Sequence, residues 1–144
     1  MSENPETQRS AIVFNLADAP THAMRYDRGT QYELFGPKNG AVNADVHINV
    51  INLDSGRGPY HYHERAENFY IVLDGKVEAC VEGVRYFLEK DDVAFIPPGL
   101  RHYAGTAKDS PVPARVIEIY APAGTDFNIV DDPVELVDAV RNRR

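Results

Sequence analysis

Between Ala11 and Pro122 the chain is a succession of short β-type runs, each broken within a few residues by Gly, Pro, Asp or Asn. That rhythm is the signature of an antiparallel all-β domain. The runs predict strands at Ala11–Leu16, Gln31–Phe35, Val46–Asp54, Phe69–Leu73, Val77–Val81, Val84–Leu88, Val93–Ile96 and Ala114–Tyr120. Glu82-Gly83 between two of them predicts a hairpin turn, because glycine supplies the positive φ such turns need. Asp74-Gly75 punctuates the preceding pair in the same way. Within Val77–Val81, Val77, Ala79 and Val81 alternate with Glu78 and Cys80, so one face is apolar and the other more polar.

The texture changes after Pro122. Asp132 as N-cap, Pro133 at the first helical position and Glu135 in the first turn predict a C-terminal helix from Pro133 to about Asn142. It would bury Val134, Val137 and Val140 and end on the cations Arg141, Arg143 and Arg144. The 144 residues suit one domain. The expected division is a flexible arm over 1–10, a barrel over 11–122 and a helix-bearing extension over 123–144.

A formal net charge of -7 argues against a nucleic-acid partner, which would need a basic footprint. No stretch approaches the roughly 20 apolar residues that span a bilayer, and no signal-type apolar run follows the polar opening. The expectation is a cytoplasmic protein without a membrane partner. Cys80 is the sole cysteine, which excludes a disulfide within the chain and a paired-cysteine zinc site. A metal would have to be held by His, carboxylate or amide groups.

Two segments supply such groups: Gly58-Pro59-Tyr60-His61-Tyr62-His63 and Pro97-Pro98-Gly99-Leu100-Arg101-His102. On a strand, residues two apart share a face, so His61 and His63 project together. Imidazoles bind divalent metals at about 2.0–2.1 Å, and a third ligand from another strand completes a site. The stiff Pro-Pro-Gly bend is suited to turning the chain and presenting His102 as that third ligand. Imidazole accepts Mn, Fe, Co, Ni, Cu and Zn alike, so the expected cofactor is one divalent transition metal ion of unspecified identity. Protons should compete for these ligands below the unperturbed histidine pKa of about 6.5. His22 and His47 have no companion at ligand spacing and are read as structural.

The run from His61 to Gly75, His-Tyr-His-Glu-Arg-Ala-Glu-Asn-Phe-Tyr-Ile-Val-Leu-Asp-Gly, resembles the first motif of the cupin superfamily. Asp91 through Thr106, with Pro97, Gly99 and His102 in place, resembles the second. The resemblance implies a double-stranded β-helix, a jelly-roll-like barrel with the site inside it, and pairing of two chains as a homodimer. In the family a glutamate ligand lies seven residues before the strand-ending glycine; counting back from Gly75 reaches Asn68, with Glu67 beside it. A one-residue shift reverses the face of a strand side chain, so Asn68 is expected inward, as a neutral fourth ligand, and Glu67 outward. Asp91 stands where the second motif usually begins with glycine. Tyr62, Tyr70 and Arg101 are candidate substrate contacts, the last through a bidentate carboxylate pair. The function implied is a metal-dependent enzyme of dioxygenase, isomerase or lyase type acting on a small polar metabolite. The other reading is a non-catalytic domain that binds or senses a small molecule.

Overall fold

Turn chemistry sets the strand boundaries. Glu82 and Gly83 take φ of 47° and 80°, the paired positive values of a tight hairpin turn. Gly75 takes φ 74°, and a Cβ there would stand 2.9 Å from Ala114 Cα, so the turn admits only glycine. Asp91, at the position where the family motif begins with glycine, has φ 70°. Aspartate is among the few residues that tolerate this left-handed conformation.

The computed structural model describes residues 10–140. In chain order the strands are β1 (Thr21–Ala23), β2 (Gly29–Phe35), β3 (Asp45–Ile51), β4 (His61–Tyr62), β5 (Glu67–Asp74), β6 (Val77–Val81), β7 (Val84–Leu88), β8 (Val93–Ile96), β9 (His102–Thr106), β10 (Ala114–Ala121), β11 (Asn128–Ile129) and β12 (Val137–Asp138). They make two six-stranded sheets, ordered β1-β2-β3-β10-β5-β8 and β11-β4-β9-β6-β7-β12. Val72, Val77, Ala79, Leu88, Ile96 and Val116 form an apolar core drawn from both sheets. Fully burying a side chain such as Val72 contributes about 1.5–3 kcal/mol, and this cluster holds the sheets together. A smaller cluster of Tyr60, Cys80 and Tyr103, with Val130 against it, covers the more polar face of β6. Cys80 is fully buried there as a packing residue.

Two expected elements are absent. Ala11–Leu16 forms no strand; Asn15 instead accepts from the Ala17 amide at 2.9 Å and opens a short 3-10 turn at Leu16–Asp18. The expected C-terminal helix is replaced, as far as Val140, by extended chain, while Arg141, Asn142, Arg143 and Arg144 lie outside the described residues. A helix of about ten residues is marginal by itself, and β-branched valines lower its propensity. The edge of β7, by contrast, offers ready backbone partners. Val137 and Ala139 donate to Gly83 and Arg85 carbonyls at 2.9 Å each, and β12 runs parallel to β7. Arg85 Nε and Asp138 Oδ1, 2.6 Å apart, fix the register. Val134 and Val140 stay almost fully exposed, so the apolar stripe read as a helix face is never buried. The expected arm over residues 1–10 falls, except for Ser10, outside the described residues.

Candidate metal centre

A group of polar side chains lies beside the apolar core inside the barrel. His61 on β4 stands directly across from His102 on β9, and His63 follows two residues on, so the three rings meet over one patch. One ligand nitrogen from each can be chosen so that all lie within 4.8 Å of one another, and all three residues are buried. Each ring is held from behind through Nδ1. His61 Nδ1 lies 2.7 Å from the Pro59 carbonyl, His63 Nδ1 2.7 Å from that of Asp126, and His102 Nδ1 2.9 Å from that of Leu100. A carbonyl oxygen only accepts, so Nδ1 carries the hydrogen and Nε2 presents its lone pair. Among the described residues the buried Nε2 atoms of His63 and His102 have no hydrogen-bond partner, nor does the buried Asn68 Oδ1. Buried polar atoms without partners are costly, and a cation held by the histidine nitrogens would satisfy those of His63 and His102. The residues present therefore fit a divalent metal.

Burial, reinforced by the neighbouring His102 and His63, pulls the pKa of His61 down to about 3 against the opposing Pro59 hydrogen bond. Burial likewise lowers His102. At His61, proton competition with a metal should thus set in well below the 6.5 expected for a free imidazole. The same shifts predict a pH dependence of folding. Below about pH 6.5 the unfolded chain protonates these histidines while the native chain does not, so stability falls on acidification at about 1.4 kcal/mol per pH unit for His61, down to its folded value. Urea titrations of metal-free protein should give an unfolding free energy about 2 kcal/mol lower at pH 5 than at pH 7. A flat profile over that window would rule out neutral, desolvated histidines.

The structure places Asn68 inward, fully buried, and Glu67 outward and exposed. The Asn68 amide is also tied down, with Nδ2 donating to Glu118 Oε2 at 3.1 Å and to the Ile119 carbonyl at 3.2 Å. Tyr70 is buried and lines a cavity of about 610 Å³ that reaches His61. Tyr62 and Arg101 do not line it. Tyr62 points to the other face of its strand from the two histidines, and Arg101 is exposed beside Glu82, whose carboxylate accepts from its backbone N–H.

Sequence reasoning missed two groups. One is the 123–130 segment, whose Asp126 carbonyl positions His63 and whose Phe127 stacks on His61 at 4.0 Å and 16°. The other is a polar cluster centred on Glu118 of β10, which the sheet register sets between His47 of β3 and Tyr70 of β5. His47 Nε2 lies 2.8 Å from Glu118 Oε1, and Asn49 Nδ2 donates to the same oxygen at 3.0 Å. Burial alone would raise the Glu118 carboxyl, but His47, Asn68 and Asn49 outweigh it and bring the pKa down to about 2. His47, read as structural from the sequence, is a wall residue of the cavity.

A family model described as "Cupin domain" matches residues 50–120. The chain is 28% identical over 138 residues to quercetin 2,3-dioxygenase of Bacillus subtilis, an alignment covering 85% of this chain and 40% of that protein. It thus spans well under half of that curated relative. Among solved structures, the polyketide cyclase RemF of Streptomyces resistomycificus superposes with a TM-score of 0.71 at 18% identity, covering 88% of this chain and 89% of that one. A double-stranded β-helix protein from Klebsiella pneumoniae gives 0.67 at 16% identity, with 92% and 100% covered. These two likenesses concern the fold.

Proposed function

The chain belongs to the cupin superfamily, and from that premise we propose that it is a metal-dependent enzyme, of dioxygenase, isomerase or lyase type, acting on a small polar metabolite inside the barrel. The observation that carries this reading is the convergence of His61, His63 and His102 with every Nδ1 engaged by a backbone carbonyl and the Nε2 side buried. His61, His63 and His102 would hold the ion, with Asn68 Oδ1 as a neutral fourth donor. A divalent metal there supplies Lewis acidity toward a carbonyl or anionic oxygen. The chain's own part is to orient and enclose. Phe127 walls one side of His61, Tyr70 lines the cavity, and the buried Glu118 cluster fixes the Asn68 amide. The activity of the dioxygenase relative favours an enzyme over a purely binding domain, and metal analysis followed by oxygen-uptake screening tests that choice. Pairing as a homodimer and a cytoplasmic setting complete the proposal; the first rests on the family resemblance and is checked by analytical ultracentrifugation.

Asn68 gives the reading a sharper test. Glutamate at this position would add an anionic ligand, but it would also face the ionised Glu118 carboxylate across the 3.1 Å now spanned by an amide hydrogen bond. Asn68→Glu should therefore destabilise the metal-free protein by about 2–3 kcal/mol and regain most of this on metal loading, with tighter metal retention. Glu67→Gln, on the exposed face, should stay within about 0.5 kcal/mol with unchanged metal content. Loss of metal from Glu67→Gln with no effect of Asn68→Glu would make Glu67, not Asn68, the ligand.

A further inference from the structure

Arg28 is buried to within 7% of its surface, on the loop that enters β2, and lines the same cavity as His61 and Tyr70. A buried guanidinium normally has a carboxylate or several carbonyls around it. Among the described residues the guanidinium makes one hydrogen bond, a long one from Nη1 to the Ala104 carbonyl at 3.4 Å, and its buried Nε has no partner. No carboxylate among the described residues lies within ion-pair distance of it. The nearest negative charge in the interior, Glu118, is engaged by His47, Asn49 and Asn68. The buried Nε–H thus has no acceptor among the described residues, and the guanidinium faces the cavity with no carboxylate beside it.

The backbone makes room for this side chain. At Gly58, three residues before His61, a Cβ would stand 2.9 Å from Arg28 Nη2, so the absence of a side chain there lets the guanidinium lie against the wall that carries the first histidine. The charge balance is equally one-sided. Arg28 and Glu118 are the buried residues of fixed formal charge among the described residues. They offset each other, and a divalent ion held by three neutral imidazoles leaves the interior positive by about two charges. Around them the wall carries Phe127, Ile51, Val77 and Val116, apolar surface enough for a ligand with a carbon body.

We propose that Arg28 is a substrate-binding residue, and that the barrel takes a small organic anion whose carboxylate or enolate oxygens the guanidinium holds while its apolar body lies along the Phe127 side of the cavity. This rests on the metal-enzyme reading for the chemistry but not for the anion contact, which Arg28 makes itself.

The test compares benzoate with its neutral near-isostere benzamide by calorimetric titration of metal-loaded wild type, Arg28→Gln and Arg28→Lys, with metal content measured on each. Wild type should prefer benzoate. Arg28→Gln should cut that preference by at least about tenfold while changing benzamide affinity less than about threefold, since a lost charge-assisted, two-pronged contact acts on the anion alone. Arg28→Lys should fall between the two, because an ammonium keeps the charge without the fork. A preference unchanged in Arg28→Gln, or no benzoate binding to wild type, overturns the assignment. Should Arg28→Gln fail to fold, Arg28→Lys decides alone: an unchanged ratio overturns it. A chain that carried no metal yet lost its benzoate preference in Arg28→Gln would defeat the metal reading and leave the anion site standing.

Discussion

Alanine at both His61 and His63 should empty the barrel of metal and leave the barrel itself folded. Of three convergent imidazoles only His102 would remain, and one neutral nitrogen does not retain a divalent ion against water. Metal content, measured after purification without a chelating column, should drop from about one ion per chain to background. The fold should survive because β4 is two residues long and the apolar core is drawn from other strands, β5, β6, β7, β8 and β10. What the substitution removes locally is the stacking on Phe127 and two Nδ1 hydrogen bonds, partly offset by relief from keeping desolvated rings. Circular dichroism of the double variant should match the parent. Full metal retention in a folded double variant would place the ion elsewhere.

How much of this was legible beforehand differs by residue. The hairpins were, because Glu82-Gly83 and Asp74-Gly75 state their φ requirement in residue type; the expected Val77–Val81, Val84–Leu88 and Val93–Ile96 strands carry the same bounds in the structure. The histidine trio was legible through spacing, and the inward face of Asn68 through counting from Gly75. The Glu118 cluster was not. In Val46-His47-Ile48-Asn49-Val50 the polar phase reads as the solvent face, since alternation separates two faces without saying which is inside. Here both phases are covered: Ile48 is as buried as His47 and Asn49, which are buried against Glu118. The C-terminal segment failed for a different reason. Its N-cap, proline and valine pattern satisfies helix rules locally, but the open edge of β7 and the Arg85–Asp138 pair are tertiary facts.

The second large effect is expected at Glu118. Replacing it by alanine removes the acceptor for His47 Nε2, Asn49 Nδ2 and Asn68 Nδ2 at once, inside a wall where His47, Asn49 and Asn68 are each less than a tenth exposed. Each stranded buried donor costs about 1–3 kcal/mol, so the sum is about 4 kcal/mol, a large share of the stability of a domain this size. Melting temperature should fall by about 10 °C or more. Glu118→Gln keeps the shape and one oxygen but turns the other end into a donor, and should cost about half as much. Because the carboxylate also holds the Asn68 amide, metal affinity in Glu118→Gln should weaken without loss of any histidine, by about 10-fold to 100-fold as for other groups that orient ligands. Combining His47→Leu with Glu118→Ala should cost less than the sum of the two single changes, by about 1–3 kcal/mol, since each leaves the other's partner unpaired. Thermal melts and a metal titration on the parent and the four variants decide it. A Glu118→Ala protein melting within about 2 °C of the parent, with unaltered metal affinity, would mean that the buried carboxylate neither holds the wall nor orients Asn68.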